Sequence, residues 1–157
     1  MLGFGKAHAD TLKAGDPAPN FTAAASDNSQ VELKSVTGHA PIVLYFYPKD
    51  DTPGCTKEAC GIRDNFAAFR KLNATVYGIS YDTVESHKKF IEKFHLPFLL
   101  LSDRDHKIAK AYGADGMLFA RRMTFVVDKA GKIAWINPSV DPSKHSQELE
   151  AVLAGLK

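Results

Sequence analysis

Cysteine is scarce in this chain, with two residues in 157. That excludes a disulfide-stapled framework and any all-cysteine structural zinc site. An excess of one charge is also missing, since 20 Lys and Arg stand against 18 Asp and Glu. Nothing therefore pulls the molecule electrostatically toward nucleic acid or anionic lipid, and neither partner is expected. Long hydrophobic runs are absent too. The longest, Ile42–Tyr47 and Leu96–Leu101 (interrupted by Pro97), are far too short to span a bilayer. The opening residues Met1–Asp10 hold no apolar core, so a cytoplasmic protein without a secretory signal is expected. No internal repeat, low-complexity tract or linker divides the chain. The remaining composition, 45% hydrophobic and 24% charged, is that of a globular protein. One domain over residues 1–157 is expected, long enough to bury a core without staples.

Apolar patterning then sets out the elements. Gly15–Asn20 is a breaker cluster that reads as an extended entry, and residues 21–36 read as two short strands around a turn at Ser26–Ser29. Ile42–Tyr47 is apolar at every position, which fits a central strand covered on both faces. After a loop at Pro48–Gly54, the spacing of Ala59, Ile62, Phe66 and Phe69 predicts one amphipathic helix. Thr75–Ser80 and Phe98–Leu101 read as strands, and Val84–Phe94 as a helix with an N-terminal capping signal at Asp82–Glu85. A short helix follows at Asp105–Tyr112 and ends at Gly113. Met123–Val127 and Ile133–Ile136 form a hairpin across Asp128–Lys132, and a last helix runs from about Ser143 to Leu156. Alternating strands and helices imply an α/β protein with a central mixed sheet flanked by helices. The closing ββα half resembles a thioredoxin-like fold, here with an N-terminal β-hairpin extension.

The stretch that carries chemistry is Pro48-Lys49-Asp50-Asp51-Thr52-Pro53-Gly54-Cys55-Thr56-Lys57-Glu58-Ala59-Cys60. It lies where the first buried strand hands over to the first amphipathic helix, the edge of an α/β sheet at which reactive groups gather. Cys55 falls in the first helical turn, where unpaired N–H groups and the positive end of the helix dipole favour an anion. For a cysteine that anion is the thiolate, its nucleophilic form. Pro53-Gly54 is expected to bend the backbone so that the sulfur faces a pocket.

This segment resembles the active-site motif of the peroxiredoxins, which is Pro, three residues, Thr or Ser, two residues, Cys. Pro48, Thr52 and Cys55 match it without a gap. The surrounding pattern from Phe46 through Cys60 is similar to the bacterioferritin comigratory protein (peroxiredoxin Q) subfamily. Arg122-Met123-Thr124-Phe125 matches the arginine that opens a late strand in that family. The likeness runs from about Lys13 onward. Residues 1–12 have no counterpart and are expected to be poorly ordered.

The resemblance implies a thiol-dependent peroxidase for hydrogen peroxide and small alkyl hydroperoxides, working as a monomer without metal or other cofactor. Cys55 would attack the peroxide and become a sulfenic acid. Thr52 would orient peroxide and thiolate through its hydroxyl, and Pro48 would shield the site from water. Arg122 would hold the sulfur ionised and donate hydrogen bonds to the peroxide oxygens, with Arg121 facing solvent. Cys60 would resolve the sulfenic acid as an intramolecular disulfide, recycled by thioredoxin or glutaredoxin. On an ideal helix that five-residue spacing means a Cα separation of about 8.5 Å, beyond the ~7 Å that a disulfide bridges. The helix start must therefore unwind if Cys60 resolves. Otherwise Cys60 is a small buried hydrophobe.

Other signals point elsewhere or nowhere. His8, His39, His87, His95, His106 and His145 show no metal-ligand spacing and read as surface or internally satisfied residues. Glu58 reads equally as a neighbour of the site or as part of a solvated helix face. A thioredoxin-type dithiol–disulfide oxidoreductase would show Cys-x-x-Cys, whereas four residues intervene here. A redox-sensing binding or holdase protein is the non-enzymatic alternative.

Overall fold

The computed structural model describes residues 12–156. The expectation of disorder over the first residues thus lies outside the described part, except at Leu12, which packs against the core.

One seven-stranded sheet organises the chain, in the order β2-β1-β5-β4-β3-β6-β7. The strands are β1 (Thr22–Ala25), β2 (Gln30–Glu32), β3 (Ile42–Phe46), β4 (Thr75–Ser80), β5 (Leu99–Ser102), β6 (Met123–Val127) and β7 (Ile133–Asn137). The helices are α1 (Leu33–Val36), α2 (Pro53–Asp64), α3 (Phe66–Lys71), α4 (Val84–Phe94), α5 (Lys107–Tyr112) and α6 (His145–Ala154). β3, β4 and β5 run parallel, while β6 lies antiparallel to β3. The β1–β2 hairpin is not an appendage, because β1 pairs antiparallel with β5 and extends the same sheet.

β3 shows why its run is apolar throughout. Side chains alternate across a strand, so Ile42, Leu44 and Phe46 enter one core, with α5 and the β1–β2 hairpin. Val43, Tyr45 and Tyr47 enter the other, against α2, α3, α4 and α6. Polar exceptions are absent on this strand because neither face meets water.

Two expectations need correction. The single helix read through Phe69 is two, broken at Asn65, whose φ of −107° and ψ of 15° leave helical geometry. The apolar stripe keeps its phase across the break, so periodicity could not reveal it. Asn65 Nδ2 donates to Glu150 Oε1 on α6 at 2.8 Å, which ties the break to the C-terminal helix. The short α1 also lies within a segment read as strand.

Antiparallel pairing of β3 with β6 decides the location of chemistry. It sets Phe46 opposite Met123. Arg122, just before β6, is thereby delivered to the carboxyl end of β3, where α2 begins.

Candidate active site

Between β3 and α2 the chain is anchored by a buried carboxylate. Asp50 accepts from Tyr47 Oη and, at 2.8 Å, from Ser86 Oγ. Its other neighbour is His87 Nδ1 at 2.7 Å, while His87 Nε2 donates to the Leu101 carbonyl at 3.0 Å. The Asp50 amide donates to Asp82 Oδ2 at 2.9 Å. Asp50, Asp82 and His87 come close enough together to suggest cation ligands. Yet Ser80 Oγ and the Asp50 amide already donate to Asp82 Oδ2, and the Asp50 and His87 polar atoms are taken as above. We read the trio as a clamp that ties this loop to the start of α4.

The sharp turn itself falls at Asp51, with φ of +60°, and not at Pro53-Gly54 as the sequence suggested. Pro53 instead opens α2, the position where its missing N–H costs nothing. Thr52 is the N-cap residue in extended conformation, and its hydroxyl donates to the Lys49 carbonyl at 2.8 Å. Its oxygen lone pairs stay open to a donor. Pro48 is half-buried at the mouth of the loop.

Cys55 follows in the first turn of α2, 1% exposed. Arg122 Nη2 donates to its sulfur at 3.4 Å, and Arg122 Nη1 donates to Glu58 Oε1 at 2.7 Å. Gly54 permits this approach: a Cβ there would lie 3.0 Å from Nη2. Burial alone would lower the Arg122 pKa, but the charges of Glu58 and Cys55 and hydrogen bonds to both prevail. The guanidinium is held charged beyond its ordinary range. Arg121 is exposed, as read from the sequence.

Glu58 is wholly buried, so the solvated-face reading fails. One turn beyond Cys55, it shares that residue's face of α2 (a relation legible in the spacing). Its second oxygen, Oε2, lies 2.9 Å from His145 Nδ1 of α6, a contact no sequence signal announced. Cys60 lies half-buried on the same helix, and both thiols are free. Cys55 and Arg122 therefore meet, with Thr52 at the cap of the same helix and Pro48 in the preceding loop, while Cys60 stays apart from Cys55 as long as α2 remains intact.

A helical N-terminal turn and a facing guanidinium are surroundings that stabilise negative charge, the setting in which a cysteine serves as a nucleophile. Comparisons with known proteins agree with that chemistry. Residues 14–136 match the AhpC/TSA family. The chain is 45% identical to the chloroplastic peroxiredoxin Q of Oryza sativa subsp. japonica over 149 residues, covering 92% of this chain and 68% of that protein. Its fold superposes on peroxidoxin BcpB of Mycobacterium tuberculosis with a TM-score of 0.86 and 33% identity, covering 93% and 99% of the two chains. The bacterioferritin comigratory protein of Xanthomonas campestris gives 0.83 and 30%, covering 92% and 100%. On this ground the chain belongs to the AhpC/TSA family and is a thiol-dependent peroxidase of the peroxiredoxin Q and bacterioferritin comigratory protein kind.

Proposed function

We propose that Cys55 is the peroxidatic cysteine and that the reaction is confined to one helix. The observation that carries this reading is Arg122 Nη2 at 3.4 Å from Cys55 Sγ in the first turn of α2. The Cys55 thiolate attacks one peroxide oxygen and the O–O bond breaks. Hydroxide or alkoxide departs with the bonding pair and takes up a proton, leaving a sulfenic acid on Cys55. Arg122 stabilises the charge that develops on the departing oxygen. Thr52 accepts a hydrogen bond from the incoming peroxide while its own hydroxyl proton stays directed at the Lys49 carbonyl. Pro48 covers the sulfur from bulk water. Hydrogen peroxide and small alkyl hydroperoxides fit a sulfur with so little open surface. The Xanthomonas campestris relative is described by its alkyl peroxide reduction activity.

Cys60 then attacks the sulfenic sulfur, an S–S bond forms and water leaves. Thioredoxin, or a glutaredoxin, returns both thiols by exchange. Because both cysteines belong to α2, no second copy has to contribute a thiol, and we read the working unit as a monomer.

Stopped-flow peroxide consumption tests the assignment. The wild type should turn over with a dithiol reductant, Cys60→Ser should consume one equivalent, and Cys55→Ser should consume none rapidly. Rapid consumption by Cys55→Ser would overturn it.

A further inference from the structure

Behind the reacting sulfur lies a buried polar array that the peroxidase reaction, as described, leaves unused. From the proposed role of Cys55 and Arg122 we infer that His145 is a positioning residue: through its Nδ1–H it holds Glu58, and Glu58 in turn holds Arg122 on the reacting sulfur.

The chain of contacts crosses three elements. Arg122 Nη1 donates to Glu58 Oε1 at 2.7 Å. Glu58 Oε2 faces His145 Nδ1 at 2.9 Å. His145 Nε2 meets Thr124 Oγ1 on β6 at 2.8 Å. Glu58 and Thr124 are completely buried and His145 is 1% exposed, so bulk solvent does not reach the array. Glu58 Oε2 and His145 Nδ1 lie at contact distance without hydrogen-bond alignment, and no other group partners either atom among the described residues. A carboxylate oxygen left unpaired in the interior is costly, and Nδ1 is the donor within reach. Arg122 at 2.7 Å favours the ionised form of Glu58, and against that carboxylate an unprotonated Nδ1 would set two lone pairs in opposition. His145 therefore carries its proton on Nδ1.

Shape restricts the ring as well. Tyr45 of β3 packs edge-on against it, with ring centroids 5.6 Å apart. His145 is also the first residue of α6, so the array fixes the start of the C-terminal helix against the active site. Without the Nδ1 donor, Glu58 either takes up a proton or swings away, and Arg122 loses the acceptor that sets its orientation toward Cys55.

Three substitutions separate this role from simple packing. Asn at position 145 places an amide at the Nδ1 position, whereas Gln reaches the Nε2 position and can still meet Thr124. In single-turnover stopped flow with a Cys60→Ser background, His145→Gln should slow peroxide reaction by roughly tenfold or more. His145→Asn should recover to within about threefold of the parent, by analogy with the loss and retention of a charge-assisted donor. Glu58→Gln should make the His145→Gln loss disappear, since the two act in series. Equal losses in the folded Asn and Gln variants, or fully additive losses with Glu58→Gln, would overturn the inference. Should the variants fail to fold, the wild type still decides. Long-range ¹H–¹⁵N NMR should show the His145 proton on Nδ1, and a ring protonated solely on Nε2 sinks the proposal. Rapid peroxide reaction in Cys55→Ser would refute the peroxidatic assignment instead, so the two failures remain distinct.

Discussion

Gly54 illustrates how a single residue serves a site without touching substrate. Its backbone conformation is ordinary for a helix, so it is not the turn that requires glycine. Space is the requirement: a methyl group would stand 3.0 Å from Arg122 Nη2 and 3.8 Å from Pro142 Cγ. The guanidinium is the end of a flexible side chain and can retreat, but only by leaving Cys55. Gly54→Ala should therefore slow the peroxide step by several-fold to about tenfold, since sub-ångström misplacement of a charge-stabilising group is costly in rate. Alanine is the better helix former, so the melting temperature should hold or rise slightly. Stopped flow beside thermal unfolding checks both; an unchanged rate would mean Arg122 can tilt aside harmlessly. Glu58 teaches the complementary lesson. Its spacing from Cys55 was visible in the sequence, yet its burial was not, because solvent exposure depends on α6 and β6 arriving from elsewhere.

At the scale of elements, the proposed Cys55–Cys60 disulfide would make α2 both a scaffold and a moving part. Intact, it holds the sulfurs of Cys55 and Cys60 apart; bridged, it must lose its first turns. The preceding loop has no such freedom, because Tyr47, Ser86 and His87 all grip Asp50. Hydrogen exchange on the Cys55–Cys60 disulfide form should accelerate across amides 55–64 while Tyr47 and Asp50 keep their protection, and dithiol should reverse the change. Unaltered exchange within α2 in a verified disulfide would refute unwinding. Simultaneous loss at Tyr47 would mean the clamp opens too. The α2–α3 break was invisible in the sequence because two abutting helices can carry one apolar stripe. By contrast β3, with both faces apolar, and the β6–β7 hairpin were readable from local pattern alone.

For the molecule as a whole, the buried phenols set an alkaline limit. Burial pushes Tyr45, Tyr47 and Tyr112 above the ordinary 10.0 of a tyrosine, and nearby anions (Glu58 and Cys55 at Tyr45, Asp50 at Tyr47) add to it. Raised folded values mean the unfolded chain releases these protons first. The associated stability is complete below about pH 10 and declines as pH climbs through and beyond that value. Phenolate absorbance of these three should therefore appear together with loss of near-ultraviolet circular dichroism. Full phenolate formation near pH 10 in a chain that retains its native signal would contradict their burial.

The α/β layering was decided by the sequence itself, through strand and helix periodicity, while the motif from Pro48 to Cys60 and the late Arg122 were legible there through their resemblance to the peroxiredoxins. Tertiary structure alone decided that Arg122 stands 3.4 Å from Cys55, that Gly54 clears its path, and that Glu58, His145 and Thr124 back it from three separate elements. Those relations arise from antiparallel pairing of β3 with β6 and from the seating of α6. Contacts between residues so distant along the chain leave no periodic trace in either partner's neighbourhood.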